Sequence, residues 1–241
     1  MKIIDKETGK RLKEIDPVKG NPEKEEAVIE SENSPMDPPG AYEEIAENKI
    51  TDEELDESLK LFIAEHDEAK EVISVFEKAL IEFKKEGYKL SESVNEGFKA
   101  FFTFFDDELL PHNRKEEKTL FPILNKRLME SEEHSPGNNP MTAIDMMEDD
   151  HVKFIQLGTL TFNLLGLAAR FRDEQSRTFT YDVAFNNGIE LVELLKLHIF
   201  REDTTLFPLA QKYLSKAEFV DILKAMHQHA PSHQHSDSCS H

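Results

Sequence analysis

The feature that most constrains this chain is an internal repeat. His112-Asn-Arg-Lys-Glu116-Glu-Lys-Thr-Leu-Phe-Pro122 matches His198-Ile-Phe-Arg-Glu202-Asp-Thr-Thr-Leu-Phe-Pro208 at a shift of 86 positions, and both read H-x-x-x-E-[ED]-x-T-L-F-P. Nearly the same shift carries His66 onto His151, so each half supplies one lone histidine followed by one His-Glu pair. In a helix, residues i and i+4 share a face one turn apart. His112 with Glu116, and His198 with Glu202, can therefore each present a nitrogen and a carboxylate in one direction.

The surrounding pattern is helical. After the capping box Thr51-Asp-Glu-Glu54, the residues Leu59, Phe62, Ile73, Phe76, Leu80 and Phe83 recur on one face until Gly87. Further apolar-periodic stretches run from about 91 to 127, 140 to 173 and 176 to 213, separated by segments rich in Gly, Ser, Pro, Asn or charge. Four long helices with short connections predict an all-α, antiparallel up-down four-helix bundle over residues 51–213. Ser215-Lys-Ala-Glu218 opens a short helix over 214–226. Pro111, Pro122 and Pro208 predict kinks or early endings in helices two and four.

Counting along the helices brings the repeated groups together. His66 lies about twenty residues before the end of helix one and His112 about twenty after the start of helix two, so a short turn puts both roughly 30 Å from it. The same counting levels His151 with His198. Leu59, His66, Ile73 and Leu80 are heptad-spaced, as are Ile144, His151 and Gly158, while Leu195, His198, Glu202 and Leu206 form a stripe; the polar groups point inward. One such histidine reads most simply as a hydrogen-bonded core residue. Four histidines and two carboxylates in one dry layer would cost several kcal/mol each without compensation, and a metal is the simplest compensator.

Imidazole and carboxylate without thiolate suit iron or manganese, with zinc also open. If both glutamates bridge, the six side chains His66, His112, Glu116, His151, His198 and Glu202 give roughly eight bonds, about four short of two octahedral ions. Two iron ions fit. An oxo or hydroxo bridge takes two of the remaining positions and leaves about one open site per ion for dioxygen, nitric oxide or peroxide. Glu108, one turn before His112, is either a further ligand or a solvated carboxylate. Glu117 and Asp203 lie about 100° around the helix from Glu116 and Glu202 and are expected to face solvent.

Composition narrows the setting. With 49 Asp and Glu against 29 Lys and Arg, the formal net charge of −20 repels a phosphate backbone or anionic membrane, so neither nucleic acid nor membrane is expected as a partner. The single cysteine, Cys239, excludes an intrachain disulfide, and a reducing cytoplasm fits best. The N-terminus has no apolar run of signal-peptide length, and no window approaches eighteen uninterrupted apolar residues. Residues 1–50 carry five of the eleven prolines among many charges and read as a flexible arm. Residues 227–241, with His227, His229, His233, His235, Cys239 and His241, form a His-rich tail whose H-x-H spacing can bind metal.

The two H-x-x-x-E-[ED]-x-T-L-F-P segments and the two lone histidines resemble the hemerythrin-like HHE cation-binding domain over about residues 52–213. The resemblance implies a non-haem di-iron centre in an up-down bundle. Oxygen-carrying members place a further histidine one turn from the lone one on helix three, where this chain has Met147 and Ile155. They also use an aspartate five residues after the last histidine, which makes Asp203 an alternative ligand. Four histidines and two glutamates are instead similar to the ligand set of the di-iron repair-of-iron-centres proteins, which carry an N-terminal cysteine-bearing domain; the first fifty residues here contain no cysteine. The resemblance implies either a sensor, store or stress-linked binder of small ligands, or an oxidoreductase or iron donor in the repair of iron-sulfur centres.

Overall fold

Each long helix starts where a side chain can satisfy its free amides. In the computed structural model, which describes residues 55–228 with side chains as far as Met226, α1 (Glu57–Lys85) is capped by Asp56, whose carboxylate accepts from the Ser58 N–H at 3.0 Å. The Thr51–Glu54 capping box, the 1–50 arm and the tail beyond 228 lie outside the described residues. A turn through Gly87 and Tyr88, both at positive φ, leads to α2 (Glu92–Phe104), capped by Ser91. A π-helical turn (Phe105–Leu109), α3 (Leu110–Thr119) and α4 (Phe121–Glu130) continue it. Thr142 and Asp145 make the reciprocal bonds of a capping box at α5 (Ala143–Ala168). Asp173 caps α6 (Glu174–Arg201), which continues through a second π turn (Glu202–Leu206) into α7 (Phe207–Tyr213). Ser215 and Glu218 then bond reciprocally at the head of α8 (Lys216–Gln228).

The prolines interrupt these rods without ending them. Leu110 N–H reaches back to Phe105 O and Phe207 N–H to Glu202 O, five residues each, immediately before Pro111 and Pro208. The missing proline donor thus falls where the α ladder is already widened, and the helix resumes. At Pro122 the break is confined to Leu120.

Neighbouring helices run antiparallel, because residue numbers fall on one as they rise on the other. Phe83 meets Phe98, Phe76 stacks on Phe101 at 3.8 Å, and His66 meets His112 along α1 against α2 and α3. Phe121 meets His151 and Phe102 meets Phe162 in the same sense, and along α5 against α6 His151 meets His198 while Thr161 adjoins Gly188. The architecture is an all-α up-down bundle, with no strand among the described residues. Leu59, Ile73, Leu80 and Ile144 are all buried, so the heptad stripe that carries the lone histidines faces the core.

Close helix approach depends on small residues. A Cβ added at Gly97 would stand 2.7 Å from Ala79 Cβ, an atom with no freedom to swing away. Gly97→Ala should therefore lower the urea midpoint: overpacking costs about 1–3 kcal/mol, against at most about 1 kcal/mol gained in helix propensity.

Candidate metal centre

All six residues singled out by the repeat converge in one buried layer. Glu116 and Glu202 have no exposed surface, and the four histidines are buried around them. His66 and His112 turn Nε2 toward each other at 3.1 Å, and His151 and His198 do so at 3.2 Å. Glu202 Oε2 lies 3.2 Å from His66 Nε2 and 3.3 Å from His198 Nε2. Glu116 Oε2 lies 3.5 Å from His112 Nε2 and 3.6 Å from His151 Nε2. Each glutamate thus spans both histidine pairs, and two overlapping donor groups share the two carboxylates: His66, His112, Glu116 and Glu202, and Glu116, His151, His198 and Glu202.

The charges in this layer do not balance by themselves. None of the four carboxylate oxygens of Glu116 and Glu202 accepts a hydrogen bond, a costly state for buried anions. Burial, reinforced by Glu202, pushes the Glu116 carboxyl well above its ordinary range. Glu202 is held well below it despite burial, because His198 and His66 face it. Burial opposes charge on His66, yet Asp203 and Glu202 hold it up at about 9, while burial and the facing His198 push His151 down to about 4. A cation between the Nε2 atoms would neutralise both carboxylates and use every inward lone pair, so this donor set fits a pair of metal ions.

The outward ring nitrogens are held as well. His66 Nδ1 donates to Asp203 Oδ1 at 2.7 Å, His112 Nδ1 to Glu65 Oε2 at 2.7 Å and His151 Nδ1 to Glu117 Oε1 at 2.8 Å. His198 Nδ1 lies 3.5 Å from Asp150 Oδ2, without hydrogen-bond alignment. Since a carboxylate accepts, the Nδ1 atoms of His66, His112 and His151 carry a proton and their Nε2 atoms turn inward, where a cation would displace the second proton that His66 holds. Lysines extend two of these chains: Lys70 donates to Asp203 at 2.9 Å, and Lys115 to Glu65.

This corrects the expectation that Glu117 and Asp203 simply face solvent. Glu117 is exposed, as expected, and Asp203 is about one-fifth exposed, but both carboxylates also hold a histidine on the next helix. In a four-helix bundle a side chain turned about 100° from the axis-facing ligand meets the neighbouring helix before it meets water. Asp203 stands behind His66 rather than in the inner donor groups, and Glu108 is exposed and outside them. Met147, one turn before His151, is buried and apolar. Glu65 and Asp150 were not singled out from sequence. Their signal was there, in the acidic residue that precedes each lone histidine.

The rest of the repeat lines the layer. Its phenylalanines stack on the lone histidines, Phe207 on His66 at 5.5 Å and Phe121 on His151 at 5.6 Å, so the Leu-Phe-Pro signature supplies dry walls. Phe62 and Phe154 present ring edges to His112 and His198. A cavity of about 290 Å³ reaches His66, His112 and His198 between α1, α3, α6 and the end of α8.

Fold and site together define a helical bundle built around a buried His/Glu cation site. The family description "Hemerythrin HHE cation binding domain" matches residues 57–210, and the chain belongs to that family. Similar curated proteins are the iron-sulfur cluster repair proteins YtfE of Escherichia coli O1:K1 / APEC, Escherichia coli strain SMS-3-5 / SECEC and Escherichia fergusonii. Each is 28% identical over 118 residues, covering 49% of this chain and 49% of the relative. The chain thus spans about half the length of the curated relatives it matches. No solved structure matches it. Among the described residues no helix is long and apolar enough to cross a membrane.

Proposed function

We propose that this chain is a non-haem di-iron protein that binds a small ligand such as dioxygen, nitric oxide or peroxide in sensing, storage or stress response. The observation that carries the reading is the pair of buried, unpartnered carboxylates, each shared between two histidine pairs. One ion would be held by His66 and His112, the other by His151 and His198, with Glu116 and Glu202 common to both. Bound iron supplies one-electron redox chemistry and an open position for the ligand. The chain's own part is to fix imidazole tautomers through Asp203, Glu65 and Glu117, and to keep the layer dry with Phe121, Phe154 and Phe207. We assign the site to a bundle of residues 51–213, flanked by an arm (1–50), a helix (214–226) and a tail (227–241), in the reducing cytoplasm.

The similarity to iron-sulfur cluster repair proteins favours a second reading, in which the same iron serves as oxidoreductase or donor in the repair of iron-sulfur centres. Metal analysis tests what the two readings share: about two iron per chain are expected. One tightly held zinc and no iron would sink both. Nitric oxide titration of the reduced protein separates them in part, since a ligand binder should take it up reversibly with its iron retained, and an iron donor should lose iron to an apo-ferredoxin acceptor.

A further inference from the structure

The cavity beside the metal layer is one-sided. It reaches His66, His112 and His198, and His151 is not among its walls. The repeat shows why. At the 85-residue offset that relates His66 to His151, Ala69 stands where the other half has Phe154, whose ring edge fills the space beside His198 at 4.8 Å. Ala69 is buried but ends at its methyl group, and the space beside His112 stays open. A cavity of about 150 Å³ accommodates benzene, so 290 Å³ has room for roughly a dozen non-hydrogen atoms. A diatomic ligand would fill little of it.

The walls specify what a larger ligand would carry. Leu61, Phe104, Leu109, Leu195 and Met226 form an apolar lining. Asn113 lines the cavity as well, and its amide nitrogen and oxygen are both buried without a hydrogen-bond partner among the described residues. Buried amides are nearly always paired, so this one is the group that a bound donor and acceptor would satisfy. The bundle itself does not require an amide there, since Ile199 occupies the matching position of the other half at the 86-residue shift. Glu68 and Glu108, both exposed, also line the cavity and repel an anion, while Lys115 already pairs with Glu65. A fitting ligand is therefore neutral, with a hydrocarbon body and one group that both donates and accepts.

We propose that this cavity binds a neutral organic hydroperoxide, with its hydrocarbon part against the apolar wall and its O–O–H group between the Asn113 amide and the centre at His66 and His112. The choice of a hydroperoxide rests on the di-iron reading, which allows dioxygen, nitric oxide and peroxide. The first two have no further atoms, and a peroxide alone can carry an organic substituent. The Asn113 amide N–H donates to a peroxide oxygen, and its carbonyl accepts from the O–H. Reduction breaks the O–O bond, takes one electron from each of two ferrous ions and two protons from solvent, and yields an alcohol and water.

The test compares the full chain with Ala69→Phe and Asn113→Ile, each variant taking the residue that the other half has at that position. Metal-free protein is titrated calorimetrically with 2-phenyl-2-propanol, the unreactive alcohol of the cumene hydroperoxide skeleton. The full chain should bind one equivalent, Ala69→Phe should bind at least about tenfold more weakly, and Asn113→Ile about tenfold more weakly. Isopropylbenzene, which lacks the hydroxyl, should bind the full chain and Asn113→Ile alike. No binding by the full chain, or undiminished binding by Ala69→Phe, overturns the site. Equal losses for both probes in Asn113→Ile overturn the part given to its amide. With reduced, iron-loaded protein, the ratio of oxidation rates by cumene hydroperoxide and hydrogen peroxide should fall at least about tenfold in Ala69→Phe, and an unchanged ratio overturns the hydroperoxide assignment. If none of the three loads iron, the di-iron reading fails by itself, and the alcohol titration still decides whether the cavity is a binding site.

Discussion

Glu116→Ala and Glu202→Ala are each expected to reduce iron from about two per chain to less than one, and to do so alike. The two carboxylates are related by the repeat, both are fully buried, and each faces one histidine of either pair at 3.2–3.6 Å. Loss of either removes a donor from both half-sites at once, so the ions should fail together rather than one by one. A second measurement separates a ligand from a structural carboxylate. In the metal-free protein these groups are buried without hydrogen bonds, so Glu116→Leu should raise the urea midpoint, by the equivalent of about 1–3 kcal/mol, while abolishing iron binding. A structural carboxylate would give the opposite pattern, with stability lost and iron retained. If Asp203→Ala lost all iron while Glu202→Ala kept it, the second half-site would be of the oxygen-carrier kind.

Much of this arrangement is legible in the sequence because duplication writes it twice. The 86-residue shift marks His112, Glu116, His198 and Glu202 together, and helix counting alone levels them with His66 and His151. Two things are not legible in that way. The first is the π turns at Phe105–Leu109 and Glu202–Leu206, since proline signals lost amide donors but not how the ladder is rerouted around them. The second is the outer carboxylates. Helical-wheel reasoning on a single helix sends a residue 100° from the axis toward water, whereas in the bundle Glu117 and Asp203 meet His151 and His66 of adjacent helices. The outer contacts arise from neighbours, which periodicity within one helix does not encode. At the 85-residue offset that relates His66 to His151, Ala69 stands where the other half has Phe154; the letter difference is readable, but the cavity beside Ala69 is a property of packing.

Those outer carboxylates give the other large expected effect. Asp203→Ala, Glu65→Ala and Glu117→Ala should each weaken iron binding about 10–100-fold, measured by competition with a chelator, while leaving the number of iron ions at saturation unchanged. Each removes the acceptor that keeps a proton on Nδ1 and the Nε2 lone pair turned inward, at 2.7, 2.7 and 2.8 Å respectively. Asp150→Ala should be milder, because its carboxylate stands 3.5 Å from His198 Nδ1 without hydrogen-bond alignment and is shared with Arg201. Asp203→Asn should recover part of the loss, since the amide oxygen still accepts from His66 Nδ1 and only the negative charge is gone. Asp203 and Glu65 should prove the most sensitive of the four, because each also holds a lysine, Lys70 and Lys115, and so ties α1 to the segment that carries a shared glutamate. Wild-type affinity in both Asp203→Ala and Glu117→Ala would return these residues to the solvated role that the sequence alone suggests, and would leave the imidazole orientation to Phe207 and Phe121 stacking.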